Sequence, residues 1–513
     1  MARPLSTTLR LPLSLLLLLL LPAPVPCQAT PRVVCFYEDW ARYRSPLARF
    51  LPANIPPHLC THIHYVGANV DEETLHLGPL DGFADIIGGG YRDTVALRRH
   101  NPQLRVLVMI GTSSETQQQA LSSAAATPES RKQLAAEVVL FLREHQLDGL
   151  DLDWKPPHAP DTHAALLEAL RAAFDGEQLT DGRRRLLLSA ELSADPAELR
   201  ANFDIARITA SVDYAGVLGY TYHSTEADET YHHAPLRTPP GAPARLAGRD
   251  FMSTLAALQQ MGADPSKLNL AVATFGQTFE LRSAGRNGLY APTAGAGAKG
   301  PLTLSAGSLA TYEICDMTGR RGWTPVRPFP EALGPFASSG NQWVAYDDEA
   351  MLRRKGWLAR ASGLGGVAVW TITQDDFRGF CTGTPFPMIR ALKAGIFGVK
   401  EAQLPTTPAP PTTPAYDATD IFICPGNGKY AAHNCSQFYF CRGGEADLLN
   451  CEAGETYDNG LRACRPGGRC NPPPALQVNG FGPTPTPAPA GRPAPPARPV
   501  SAAWRPRIYG RYR

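Results

Sequence analysis

Residues 148–155 read DGLDLDWK, the most informative segment of the chain for its fold. Its alternating apolar and charged residues indicate a short strand whose successive side chains point to opposite faces. Asp151, Asp153 and Lys155 therefore share one face of that strand. Charged groups are costly on a buried strand unless they have partners. This face is expected to line a functional site, with a structural polar network as the alternative.

Seven further apolar runs bring the number of predicted strands to eight, and helical patterns lie between several of them. The other strands are Val33–Tyr37, Thr61–Val66, Leu104–Ile110, Arg185–Glu191, Tyr214–Tyr220, Leu268–Phe275 and Gly366–Trp370. The clearest helical patterns are Arg131–His145, Ala164–Phe174 and Met252–Met261. This alternation predicts an α/β fold, a (β/α)8 TIM barrel over residues 32–400 with its site at the C-terminal mouth. Residues from about 279 to 343 are too many for a loop and predict a small inserted α+β subdomain.

The composition divides the 513 residues into further segments. Residues 1–27 have the layout of a secretory signal peptide, which predicts an extracellular protein; a membrane anchor is the alternative. No later segment is long and apolar enough to span a membrane. Residues 402–418 read as a Pro/Thr-rich linker, and residues 472–513 as a disordered tail with six arginines and no acidic residue. The net charge of +2 implies no electrostatic partner for the whole chain, and we expect no nucleic acid partner.

Ten cysteines follow Cys27 and fall into two groups. Four are widely spread and six are packed into residues 420–471, which predicts disulfides and a small stapled, β-rich module. A zinc site is the alternative for the six, although no CxxC pair or histidine cluster accompanies them. The first group is Cys35, Cys60, Cys315 and Cys381, and the second is Cys424, Cys435, Cys441, Cys451, Cys464 and Cys470.

The segment DGLDLDWK resembles the DxxDxDxE signature of glycoside hydrolase family 18, the chitinases and chitinase-like lectins. Further similarity lies in CFYEDWARYR from Cys35, in Cys60-Thr61-His62, and in the GLGG stretch that leads to Trp370. The resemblance implies a TIM barrel with disulfides Cys35–Cys60 and Cys315–Cys381. It also implies that Asp148, Asp151, Asp153 and Lys155 occupy the signature positions.

The resemblance also implies that catalysis is lost. In the family the last signature position is a glutamate that protonates the leaving glycosidic oxygen, while the substrate's own N-acetyl group attacks the anomeric carbon. Here that position is Lys155, and a lysine ammonium ordinarily has a pKa near 10.4, against about 4.3 for a glutamate carboxyl. We therefore expect no catalytic residue, no cofactor and no metal.

Other departures from the family pattern point the same way. The aspartate that ends the sixth strand in the family is replaced by Thr221, and an aromatic near the end of the second strand is replaced by Gly67. The Gly-Gly-Trp that ends the third strand reads Gly111-Thr112-Ser113. The Tyr-Gly-Arg pattern reads Phe275-Gly276-Gln277. The aromatics Tyr37, Tyr220 and Trp370 remain, and the resemblance assigns them to sugar binding.

Glu191 ends the fifth strand, where the family carries a small residue. We expect it either to point into the same mouth and pair with Lys155, or to be solvated at the rim. In the first case Lys155 forms a buried ion pair with Asp153, Glu191 or both.

The six-cysteine module resembles the peritrophin-A type of chitin-binding domain. That resemblance implies the pairs Cys424–Cys441, Cys435–Cys470 and Cys451–Cys464, whereas spacing alone allows 15 arrangements. Its candidate sugar-binding aromatics, of which about half are expected to be core, are Tyr430, Phe438, Tyr439 and Tyr457.

These features predict a secreted pseudoenzyme that binds chitin or chitooligosaccharides. An active or weakly active chitinase with an unusual acid is one alternative, and an extracellular signalling protein is another. A cuticle or matrix protein is a third, in which the basic tail binds acidic polymers.

Overall fold

The computed structural model describes residues 30–111, 114–154, 159–180, 182–399, 428–431, 437–442, 445–451, 455–458 and 463–466. The predicted signal peptide, linker and tail lie outside the described residues. So do Thr112, Ser113 and Lys155, which means that the predicted Lys155 ion pair remains a prediction.

Eight parallel strands close into the predicted barrel. They are β1 (Arg32–Glu38), β2 (His62–Val70), β4 (Arg105–Gly111), β5 (Gly149–Asp153), β6 (Leu187–Leu192), β7 (Tyr214–Leu218), β8 (Leu268–Ala273) and β15 (Gly366–Trp370). Each strand pairs with the next around the ring, and the ring closes because β1 pairs with both β15 and β2. The short strand β3 (Leu77–Pro79) runs antiparallel to β2.

Ten α-helices are described, and most of them connect barrel strands. They are α1 (Gly90–Ala96), α2 (Glu115–Ala126), α3 (Pro128–Glu144), α4 (Pro160–Asp175), α5 (Pro196–Asn202), α6 (Ile205–Ser211), α7 (Phe251–Gln260), α8 (Thr311–Arg320), α9 (Glu349–Ala361) and α10 (Pro387–Phe397). Aspartates begin four of them by accepting a free backbone N–H of the first turn. Asp195 caps α5, Asp204 caps α6, Asp250 caps α7 and Asp348 caps α9.

Alternation along the strands builds two separate cores. On β5, Leu150 and Leu152 belong to the large core between the barrel and its helices. On β1, Val34 and Phe36 instead belong to a smaller cluster inside the barrel. The barrel interior is therefore a packed layer of side chains at whose mouth polar groups collect.

The inserted subdomain is an antiparallel sheet with one helix. Its strands are β9 (Phe275–Leu281), β10 (Thr293–Ala296), β11 (Ser308–Ala310), β12 (Thr324–Val326), β13 (Phe336–Ser339) and β14 (Gln342–Ala345), and α8 lies among them in sequence. The sheet begins directly after β8, with only Thr274 between the two strands. The predicted strand Leu268–Phe275 therefore ends before its last residue, which already belongs to the insertion.

The C-terminal module contains five described strands. A three-stranded sheet consists of β16 (Gly428–Ala431), β17 (Gln437–Arg442) and β18 (Glu445–Asn450), and a hairpin pairs β19 (Thr456–Asp458) with β20 (Ala463–Arg465). The module is rich in β-structure, as predicted.

Three disulfides are present among the described residues. Cys35–Cys60 and Cys315–Cys381 stabilise the barrel part, and Cys451–Cys464 joins the hairpin of the module to the end of β18. All three are pairs that the family resemblances imply. The pairs Cys424–Cys441 and Cys435–Cys470 involve side chains outside the described residues.

None of the helices in the described part of the chain combines the length and the apolar character that a membrane crossing requires.

Candidate active site

The charged face of β5 points into the barrel. Asp151 is completely buried and Asp153 nearly so, whereas the leucines between them pack outward. The predicted alternation is therefore correct for both aspartates. Neighbouring strands add polar residues at the same level, because Asp151 pairs in register with Ser189 of β6.

Asp148 has a different position from the other two aspartates. Its carboxylate accepts the Val106 backbone N–H at 2.8 Å and an Arg98 guanidinium N–H at 2.9 Å. Since Asp148 precedes the first residue of β5, these contacts tie the N-terminal end of that strand to its neighbour β4. Asp148 thus supports the strand rather than lining the mouth.

His64 of β2 lies beside Asp151. Its Nδ1 lies 3.1 Å from Asp151 Oδ2, and both side chains are almost fully buried. The geometry is not that of a hydrogen bond, so among the described residues neither atom has a hydrogen-bond partner. The sequence patterns did not single out His64, although its position in a barrel strand between Ile63 and Tyr65 was a usable signal.

The remaining polar atoms of this pair are held by hydrogen bonds. His64 Nε2 lies 2.8 Å from the Tyr214 hydroxyl, and the Ser189 hydroxyl donates to Asp151 Oδ1 at 2.6 Å. Burial, with a further contribution from Asp151, raises the pKa of Tyr214 well above its ordinary value. Tyr214 therefore remains a neutral phenol.

Glu191 lies inside the barrel, which agrees with the expectation that it points into the mouth. It is only 3% exposed, which excludes a solvated position at the rim. One ligand-type atom from each of His64, Asp151 and Glu191 lies within 4.8 Å of the other two. A histidine and two carboxylates are thus brought together from three strands. The predicted pairing of Glu191 with Lys155 stays a prediction.

The candidate sugar-binding aromatics of the barrel lie on both the inner and the outer face of its strands. Trp370, at the end of β15, packs against Phe36 inside the barrel, with ring centroids 5.0 Å apart. Tyr37 instead lies in the outer core against Phe50 and Tyr65 and is 1% exposed. The expectation that Tyr37 binds sugar is therefore wrong, because adjacent strand residues face opposite sides and Phe36 is the one that faces inward.

The end of β7 differs from the predicted strand. The strand stops at Leu218, and Tyr220 belongs to the interior cluster, where its ring meets Phe275 edge to face at 6.0 Å. Thr221 is exposed and has a left-handed φ of 70°. The Gln277 side chain makes a hydrogen bond within the protein, because its amide donates to the backbone oxygen of His223 at 2.9 Å.

Gly67 could not carry a larger side chain in this backbone. A Cβ at that position would lie 2.5 Å from the carbonyl oxygen of Met109. The missing aromatic therefore reflects a local backbone path in β2, which also shows a register shift between Val66 and Ala68.

In the C-terminal module, the register of β16 and β17 places Tyr430 opposite Tyr439 and Phe438 opposite Ala431. Tyr457 is 1% exposed. Its ring therefore belongs to the core of the module and cannot stack on a polysaccharide, which corrects its assignment as a sugar-binding residue.

Comparison with known sequences identifies the barrel. The sequence profile described as "Glycosyl hydrolases family 18" matches residues 32–375. The chain belongs to this family. A second profile, "Chitin binding Peritrophin-A domain", matches residues 424–470.

Chitotriosidase-1 of Mus musculus is 30% identical over 449 residues, which cover 85% of this chain and 92% of the relative. Among solved structures, the Group II chitinase catalytic domain 2 of Ostrinia furnacalis is similar, with a TM-score of 0.66 and 31% identity over 72% of this chain and 97% of that one. Human YKL-39 has a TM-score of 0.67 and 28% identity over 72% and 100% of the two chains. It is described as a pseudo-chitinase with retained chitooligosaccharide binding properties.

Proposed function

We propose that this protein is secreted and binds chitin or chitooligosaccharides without hydrolysing them. The observation that carries the proposal is the lysine at sequence position 155, two residues after Asp153, which is the last residue of the strand that supplies the acids of the site.

An ammonium at the position of the general acid fails for two reasons. It gives up its proton reluctantly at neutral pH, and it places positive charge beside a transition state that is itself becoming positive. A general acid typically contributes about 10²–10⁴-fold to the rate. Thr221, exposed after β7, carries no charge that could compensate.

The contacts of Asp151 also favour a site that no longer hydrolyses chitin. Its two carboxylate oxygens are directed to Ser189 and His64, and Glu191 adds a further buried carboxylate at this level. A buried group of this kind occupies space and attracts cations, whereas sugar hydroxyls and an acetamido group need room and neutral hydrogen-bonding partners.

The peritrophin-A module supports binding to the polymer. Its profile match spans residues 424–470, and the Cys451–Cys464 disulfide is formed. Retention on chitin should therefore reside in residues 420–471, with Tyr430, Phe438 and Tyr439 as the contact candidates. Trp370 and Tyr220 at the barrel mouth are candidates for soluble oligosaccharides. Two kinds of disulfide-bearing domain also support an extracellular location.

The test measures hydrolysis and retention on the same preparations. The full chain should release no fluorophore from a fluorogenic chitooligosaccharide glycoside above the level of Lys155→Met, and it should be retained on chitin beads. A chain that ends at residue 400 should lose most of this retention. Turnover that disappears in Lys155→Met would show an active chitinase with an unusual acid. Equal retention of the shortened chain would show that the barrel, and not the module, binds the polymer.

A further inference from the structure

We propose that His64, Asp151 and Glu191 bind a divalent transition-metal ion inside the barrel, with zinc as the ion that this ligand set suits best. The three residues come from β2, β5 and β6, and their ligand atoms converge within 4.8 Å. One imidazole nitrogen and two carboxylates are ligands that zinc accepts, and three protein ligands leave a further position for water.

The distance between His64 and Asp151 fits a shared ion. Zinc binds nitrogen and oxygen at about 2.0–2.2 Å, so two ligands at a tetrahedral angle lie about 3.4 Å apart and somewhat closer at smaller angles. The observed separation of Nδ1 and Oδ2 is 3.1 Å. Within the described part of the chain both atoms lack a hydrogen bond, although they are fully buried. Two buried atoms 3.1 Å apart, with no hydrogen bond to either in the described part of the chain, are placed to share a cation.

The outer contacts of these ligands are those that a metal site needs. A metal-binding histidine usually holds its other ring nitrogen in a hydrogen bond, which sets the tautomer that leaves the binding nitrogen unprotonated. Here Nε2 of His64 meets the Tyr214 hydroxyl at 2.8 Å. The second oxygen of Asp151 likewise accepts from Ser189 at 2.6 Å. Both ligands are therefore oriented by contacts on the side away from the proposed ion.

The formal charges favour a doubly charged occupant. The ligand set contains two buried carboxylates, those of Asp151 and Glu191, and one imidazole. The two carboxylates carry a formal charge of −2, which a divalent ion cancels.

The experiment is calorimetric titration of ZnCl2 into the untagged full chain after EDTA dialysis, with Co²⁺ absorption as a second readout of ligation. We expect one ion per chain. Tyr214→Phe, which keeps the ring and removes the hydroxyl, should weaken binding about 10–100-fold as other outer-contact changes do. His64→Gln should abolish it, together with the visible absorption of the Co²⁺ form.

The matched control is His76→Gln, because His76 pairs with Glu137 at 2.6 Å on the surface and no third ligand accompanies this pair among the described residues. This variant should bind like the wild-type chain. Three results would overturn the proposal. The first is no binding by the wild-type chain at about 1 mM Zn²⁺, a concentration far above the dissociation constant of a structural zinc site. The second is binding that stays unchanged in both Tyr214→Phe and His64→Gln, and the third is binding that appears only in Lys155→Met. The last result would assign the space to the lysine ammonium. If His64→Gln does not fold, the result for Tyr214→Phe decides.

Discussion

The carboxylate of Glu191 lies where a side chain at position 216 would begin. A Cβ built on Gly216 would be 2.2 Å and 2.4 Å from the two carboxylate oxygens. The residues face each other in register on the adjacent strands β6 and β7. Glu191 can therefore lie inside the barrel only because its neighbour has no side chain.

Gly216→Ala should destabilise the barrel by about 1–3 kcal/mol, because the added methyl group overpacks a buried site. The glycine is not in a left-handed conformation, so the cost arises from packing and not from the backbone. Urea unfolding of the variant measures it. In a Glu191→Ala background the same change should cost little, and equal costs in both backgrounds would contradict the interpretation.

Glu191→Ala should itself destabilise the barrel. If Lys155 pairs with Glu191, removing one partner leaves a buried charge uncompensated, at a cost of about 3–5 kcal/mol. Lys155→Met combined with Glu191→Leu should then recover much of the loss, since an apolar pair needs no compensation. Urea unfolding at low zinc concentration measures both. A double variant as unstable as Glu191→Ala alone would show that Lys155 has another partner.

Lys155→Glu should restore little chitinase activity, because Thr221 and the altered mouth remain. A general acid contributes about 10²–10⁴-fold, so we expect recovery below about tenfold on a fluorogenic chitooligosaccharide. Lys155→Gln, which restores no acid, is the control. Full recovery by the single change would mean that the other departures do not impair the site.

Asp39→Asn should stabilise the protein more at pH 8 than at pH 5. Burial, followed by the nearby Asp85, raises the pKa of Asp39 to about 9. The unfolded chain releases this proton near pH 3.9, so the folded state binds more protons between about pH 4 and 9. The contribution of Asp39 to stability is therefore complete below pH 4 and is lost as the pH rises, by at most about 1.4 kcal/mol per unit.

The asparagine side chain does not titrate in this range. The difference in unfolding free energy between Asp39→Asn and the wild type should therefore grow with pH. Asp71→Asn is the control, because that exposed carboxylate has a lowered pKa, mainly through a hydrogen bond from Thr74. Its effect should stay constant from pH 5 to 8. A constant effect of Asp39→Asn as well would contradict the raised pKa.

Lys355→Met should cost about 3–5 kcal/mol, because it leaves a buried carboxylate without its ammonium. The Lys355 ammonium is fully buried and donates to Asp347 at 2.5 Å and to Ala234 O at 2.8 Å. Arg354→Met, which breaks an exposed pair with Glu331, should cost less than about 1 kcal/mol. Thermal unfolding of the two variants side by side checks the contrast.

Much of the architecture follows from local sequence. The eight barrel strands lie where apolar runs predict them, because a buried parallel strand needs continuous apolar residues whatever its neighbours are. The alternation in DGLDLDWK correctly places Asp151 and Asp153 on one face, since strand geometry alone determines which residues share a face. The three described disulfides also agree with the pairs implied by the family resemblances.

Alternation does not say which of the two faces is inside, and only the closed barrel decided this for β1. Its inward set contains Val34 and Phe36, so Phe36 rather than Tyr37 meets Trp370.

Contacts between distant strands also depended on the tertiary structure. His64 reaches Asp151 across 87 positions of sequence, and Gly216 makes room for Glu191 from the next strand. Such contacts depend on strand order and register around the ring, which are set by the packing of the whole barrel and are absent from any one segment.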